Sequence, residues 1–296
     1  MRAPAMVRPL TVLCLSLVFF FSACAQKEIQ PPPKPAKIAL VLGAGASKGF
    51  AHVGVLKVLE ANKIPVHMIV GTSAGSFVGA LYAYGFDGFE LQKLSFGLEK
   101  NDIVDLTLPD KGFLKGEKIE AYINTILRGT PMEKLRIPFY AVATDLQSGS
   151  EMVFGSGNTG AAVRASCSIP GIFIPPVISG KPYVDGGVVS PVAVDAARRL
   201  GADVVIAVDL SHDTDSSLPQ GTIEVILKSI SIMYAKLSAT QLARADVIIT
   251  PKVGNIGSAD FTQRHAAVLE GERATLAALP KIQEILGGLK RAGRID

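Results

Sequence analysis

Two short apolar runs, each ending in glycines and followed by a helical pattern, constrain this chain most. Ile38-Ala39-Leu40-Val41-Leu42 has no polar alternation, as expected of a strand buried on both faces of a parallel sheet. It leads into Gly43-Ala44-Gly45-Ala46-Ser47-Lys48-Gly49, after which Val53, Leu56, Val58 and Leu59 set a helical stripe between Phe50 and Asn62. A second strand, His67 to Val70, runs into Gly71-Thr72-Ser73-Ala74-Gly75 and the helical pattern SFVGALYAYG. Together these form a βαβ unit. The alternation recurs with strands at Phe139 to Thr144, Val204 to Val208 and Val247 to Thr250. Helices are expected at Val192 to Leu200, at Ile223 to Ala245 as an ordinary core helix, and after Gln263. The predicted fold is α/β, three layers (α/β/α) around a mostly parallel central sheet, in one domain over residues 37–296. With 48% hydrophobic and 19% charged residues in 296, there is ample core material and no case for disorder.

The first 36 residues read differently. Arg2 and Arg8 precede an apolar stretch, Leu10 to Phe21, of secretory length and too short for a transmembrane helix. Residues 1–23 are therefore expected to be a signal peptide. Phe21-Ser22-Ala23-Cys24 resembles a bacterial lipobox, which implies a lipid on Cys24; Ala23-Cys24-Ala25 also reads as an ordinary cleavage site before Gln26. Lipidation is favoured because Cys24 ends the apolar stretch and a Pro-rich tether, residues 24–36, follows it. The expected location is the bacterial cell envelope, facing the periplasm and anchored to a membrane. The net charge of +4 falls to about +2 without Arg2 and Arg8, which argues against nucleic acid as a partner. Cys14 leaves with the signal, so Cys167 has no evident disulfide partner and is expected as a small buried side chain.

Three elements carry chemistry. In Gly71-Thr72-Ser73-Ala74-Gly75, the strand-turn-helix context holds Ser73 on a sharp turn at a helix N-terminus, and Gly71 and Gly75 let neighbouring backbone pass closely. In the loop Gly43 to Gly49, glycines can aim successive amides at one point and stabilise an oxyanion. That loop is neither a dinucleotide fingerprint, which needs glycine at Lys48, nor a P-loop, in which glycine precedes the lysine. Asp185-Gly186-Gly187 closes the strand-like run Lys181-Pro182-Tyr183-Val184 and offers a carboxylate as base for Ser73.

In order and spacing these three elements resemble the patatin-like phospholipase family, from about Ile38 to Leu210, together with Ala143-Thr144-Asp145-Leu146 and Arg164 to Gly171. The resemblance implies a serine acyl-ester hydrolase with a Ser73–Asp185 dyad and oxyanion donors drawn from Gly43, Gly45, Ala46, Ser47, Lys48 and Gly49. It implies phospholipid or another acyl ester as substrate. No cofactor is expected, and no metal-ligand cluster is visible. Ala44 and Ala46 stand where relatives often carry glycine, and Lys48 where many carry arginine. Two alternatives stand beside it: a triad recruiting His212 or His265 with Asp145 or Asp185, and an envelope protein of the same fold that holds lipid without cleaving it. His52 is expected to pack or cap the first helix, and Asp145 and Asp209 to hold turns. The basic residues Lys290, Arg291 and Arg294 are expected to form a solvated end.

Overall fold

The computed structural model of the protein describes residues 33–108, 111–212 and 218–295. Residues 1–32, which include the expected signal peptide, Cys24 and most of the expected tether, lie outside the described residues. Among the described residues there are eight strands: β1 (Ile38–Leu42), β2 (Met68–Thr72), β3 (Phe139–Asp145), β4 (Glu151–Phe154), β5 (Val177–Ile178), β6 (Lys181–Asp185), β7 (Val204–Val208) and β8 (Val247–Ile249). Pairing runs β5-β6-β3-β2-β1-β7-β8, with β4 as an additional partner of β3. From β3 to β8 the pairing is parallel; β4, β5 and β6 pair antiparallel.

The helices are α1 (Phe50–Ala61), α2 (Ala74–Tyr84), α3 (Gly88–Gly97), α4 (Lys100–Ile103), α5 (Glu117–Ile126), α6 (Thr159–Ser166), α7 (Val194–Arg199), α8 (Thr222–Leu242) and α9 (Arg264–Arg291). Alternate strand residues feed two cores, which makes the three layers. Ile38, Leu40, Leu42, Ile69 and Ile206 face a core that includes α1, α2, α5 and α9 residues. Ala39, Val41, Val70, Val205 and Ala207 face a smaller core closed by α7 and Leu242 of α8. The unbroken apolar runs of β1 and β7 are thus explained by burial on both faces.

Three expectations are corrected. The tether's last residue belongs to the fold: Ala36 is buried and its amide donates to the Arg294 carbonyl at 2.8 Å. Arg294 is accordingly no solvated end, and it pairs with Asp203 at 2.8 Å. Helix α8 is not a core helix. It buries only Ile230, Tyr234, Ser238 and Leu242, one residue per turn, and leaves Ile223, Val225, Ile232 and Met233 about half exposed. Among the described residues no helix is long and apolar enough to cross a membrane.

Candidate active site

Ser73 is the single residue between β2 and α2. Its backbone sits at φ 54°, ψ −123°, a conformation that costs a residue with a side chain roughly 1–3 kcal/mol and persists only where its surroundings impose it. Those surroundings are visible. The Ser73 amide donates to Ser166 Oγ at 2.9 Å, and Ser166 Oγ donates to the Val142 carbonyl at 2.6 Å. The Ser73 carbonyl accepts from the Ser76 amide at 2.8 Å and from Ser76 Oγ at 2.7 Å. The flanking glycines are required by space: a Cβ on Gly75 would lie 2.0 Å from the Leu42 carbonyl oxygen, and one on Gly71 would lie 2.5 Å from Ser76 Cα. The turn thus presents a hydroxyl at the positive end of α2.

Register brings Asp185 to the same place. On β3, Ala141 and Val142 pair with both β2 and β4, so those two strands occupy opposite edges; Ala143 and Thr144 pair with both β4 and β6. β6 therefore continues the edge that β2 leaves, running head-on toward it. Thr72, opposite Val142, and Asp185, opposite Ala143, are the two facing ends. The next residue after Thr72 is Ser73.

Asp185 is fully buried. Its Oδ1 accepts from the Gly187 amide at 2.7 Å, and its own amide donates to the Ser168 carbonyl at 2.8 Å. Burial raises its carboxyl from the ordinary 3.8 to about 6, opposed by the Ser73 hydroxyl, the Gly187 amide and the Tyr234 hydroxyl, which favour the charged form. Oδ2 and Tyr234 Oη are both buried without a hydrogen bond of ordinary geometry. The carboxylate is thus anchored through one oxygen and leaves the other for a reacting proton. Tyr234, which sequence reading missed, comes from α8. Gly187 accommodates it: a Cβ there would lie 2.2 Å from Tyr234 Cζ. Gly186 is equally confined, 2.2 Å from the Val142 carbonyl oxygen.

The glycine loop contributes fewer free amides than its spelling suggests. Gly43 donates to the Val208 carbonyl at 3.0 Å, Ser47 to Ser258 at 3.2 Å and Lys48 to Gly45 at 3.0 Å. These three amides are committed to the fold and are corrected as oxyanion donors. Gly49 ends the short 3-10 turn Ala46–Gly49 and packs on Ala74, where a Cβ would meet the Ala74 Cβ at 2.5 Å. Among the described residues the Gly45 and Ala46 amides have no acceptor. Ala46 holds φ 49°, a left-handed conformation that costs an alanine more than it would a glycine. His52 explains how the loop is held. Its buried ring meets the Gly43 carbonyl at 2.8 Å through Nε2, and burial lowers its pKa to about 4, so the ring is neutral and Nε2 is the donor. The Ala74 amide, next to Ser73 and first in α2, is one of the N–H groups that a helix start leaves without an intrahelical acceptor.

Ser73, Ala46 and Ala74 line a cavity of about 240 Å³ whose lining includes Phe77, Leu81, Leu98, Ile119 and Ile172 and has no charged side chain. A smaller cavity lined by Ser73, Gly45, Ala46, Lys48 and Tyr234 adjoins it. No histidine lines either one. His212 and His265 are exposed, the His265 ring lying tilted at 45° beside Phe96. Asp145 Oδ1 accepts from the Gln147 and Ser148 amides at 2.9 and 3.0 Å, and Asp209 Oδ1 from the Ser211 amide and hydroxyl at 2.9 and 2.6 Å; both hold turns. Cys167, expected to be buried, is only half-buried and lines the larger cavity; burial and Asp185 push its thiol up. Among the described residues no group of three or more His, Cys, Asp or Glu side chains is placed to hold a metal ion.

The chain is 34% identical over 190 residues to human patatin-like phospholipase domain-containing protein 6, covering 61% of this chain and 14% of that protein. It is 32% identical over 217 residues to an uncharacterised NTE family protein of Mycobacterium tuberculosis, covering 70% of this chain and 60% of that one. Among solved structures, VipD from Legionella pneumophila shares the fold, with a TM-score of 0.59 at 13% identity over 84% of this chain and 67% of VipD. The family described as Patatin-like phospholipase matches residues 40–198, which is more than half of the sequence and spans both Ser73 and Asp185; the chain belongs to the patatin-like phospholipase family.

Proposed function

We propose that the protein is a serine acyl-ester hydrolase that cleaves phospholipids or related acyl-ester lipids with a Ser73–Asp185 dyad. The observation that carries this reading is the meeting of β2 and β6 end to end, which sets a strained serine beside a buried carboxylate at an uncharged apolar cavity. An acyl chain occupies that cavity and its ester carbonyl lies at Ser73. Ser73 Oγ attacks the carbonyl carbon while its proton passes to Asp185, whose pKa of about 6 leaves it ionised and basic at neutral pH. The Gly45 and Ala46 amides receive the negative charge on the carbonyl oxygen. Collapse breaks the ester C–O bond, and the departing alkoxide takes the proton from Asp185. Water then attacks the acyl-serine, again giving a proton to Asp185, which returns it to Ser73 as the fatty acid leaves.

Export and a lipid on Cys24 would hold this site at an envelope membrane, facing the periplasm. Intact mass measurement of the mature chain checks that: a diacylglyceryl mass on Cys24 supports the anchor, and a plain N-terminus at Gln26 overturns it. For the chemistry, Ser73→Ala and Asp185→Ala should each lower hydrolysis of dioctanoyl phosphatidylcholine by about 1,000-fold or more, with circular dichroism unchanged. Activity within tenfold of the parent in either folded variant overturns the dyad. An inert parent that copurifies with lipid supports the non-catalytic lipid-binding reading instead.

A further inference from the structure

A third cavity, of about 480 Å³, lies beside the two that Ser73 lines and differs from them in charge. Lys48, Lys100 and Lys228 line it, with Glu224 and Asp260. Both acids accept hydrogen bonds from uncharged neighbours. Glu224 accepts from the Gln220 amide at 2.7 Å, and Asp260 accepts from Thr262 and Gln263 at 2.6 to 2.9 Å. Lys228 Nζ is buried and has no hydrogen-bond partner. An ammonium group taken from water without an acceptor is costly, and an anion in the cavity removes that cost. Lys100 also lies over the Phe261 ring, at 5.8 Å, and Phe261 lines the apolar cavity.

Helix α8 aligns this cavity with the reacting centre. Ser231 lines both the basic cavity and the small cavity at Ser73, and Leu227 and Ser258 line all three. Lys228 precedes Tyr234 by six residues on α8, about 9 Å along the axis at 1.5 Å per residue. In a glycerophospholipid five bonds separate phosphorus from an ester carbonyl carbon, about 6 Å when extended. The axial separation exceeds that span by about 3 Å. Resting on the hydrolase reading above, we propose that the cavity at Lys228 and Lys100 binds the phosphate of a glycerophospholipid whose acyl chain lies in the uncharged cavity and whose ester lies at Ser73.

The test is equilibrium binding to the full chain carrying Ser73→Ala, which needs no turnover, measured calorimetrically with dihexanoyl phosphatidic acid, dihexanoylglycerol and inorganic phosphate. Phosphatidic acid should bind at least about tenfold tighter than dihexanoylglycerol. Adding Lys228→Met should reduce that ratio to about two or less, and Lys228→Arg should keep most of it. If the Met variant fails to fold, Lys228→Gln with Lys228→Arg decides the matter by the same ratio. Phosphatidic acid binding unchanged in the neutral variants overturns the proposal. Inorganic phosphate binding as tightly as phosphatidic acid assigns the cavity to free phosphate and also overturns it. An absence of hydrolysis by the parent would defeat the dyad and leave this binding ratio readable.

Discussion

Replacing Asp185 by Asn should remove hydrolysis and make the fold more stable above pH 6. Asp185 is fully buried, and burial raises its carboxyl from 3.8 to about 6. At 1.36 kcal/mol per pH step, keeping it ionised costs the folded state up to about 3 kcal/mol. The sign follows from the direction of the shift. A carboxyl that binds its proton more tightly when folded leaves stability intact below the unfolded value of 3.8 and erodes it as pH rises through about 6. Asn keeps an acceptor for the Gly187 amide, held at 2.7 Å, and its amide nitrogen can donate to the hydroxyls of Tyr234 and Ser73. The variant should therefore gain up to about 3 kcal/mol over the parent at pH 8, a rise of roughly 6–12 °C in Tm for a domain of this size. That gain should vanish by about pH 4. Urea denaturation of both proteins at pH 8 and pH 4 checks it. An Asn variant no more stable than the parent at pH 8, or equally stabilised at pH 4, refutes the argument that burial is what makes Asp185 a base.

Because Asp185 must be ionised to take the serine's proton, kcat/KM should fall as pH drops through about 6; a flat profile between pH 7 and 5 contradicts this role. Tyr234→Phe removes a hydroxyl that favours the ionised carboxylate, so the acid limb of that profile should move to higher pH while the variant stays folded; an unmoved limb removes Tyr234 from the site's electrostatics. Gly75→Ala puts a Cβ 2.0 Å from the Leu42 carbonyl oxygen, and the variant should lose about 3 kcal/mol or more in urea denaturation or fail to accumulate in soluble form. Stability within 1 kcal/mol of the parent would show that the turn yields easily.

The central strands were legible because burial on both faces leaves uninterrupted apolar spelling, as in Ile38 to Leu42 and Val204 to Val208. The turn at Ser73 was legible for a related reason: its glycines are imposed by contacts with Leu42 and Ser76, and they stand in the sequence as a pattern. Nothing local in Lys181 to Asp185 reveals that β6 meets β2 head-on, since that depends on β3 pairing with three strands. Tyr234 was hidden for the same reason, one buried residue on a helix that otherwise lies at the surface. Helix α8 was read as core from its apolar count, although its buried positions recur only every fourth residue. Helix α6 was missed because TGAAVRAS carries mostly small residues, so its packing leaves no strong apolar stripe. Strand β4 follows a turn in which Gly149 takes φ 70°, a hairpin signal present in Ser148-Gly149-Ser150 and passed over.

The most direct test of the account is mass-spectrometric mapping of the protein after treatment with a fluorophosphonate. A single phosphonyl adduct on Ser73, slowed as pH falls below about 6 and absent from Ser73→Ala, is the predicted result. An unmodified Ser73 in the folded parent, or an adduct on another residue with Ser73 free, would contradict it.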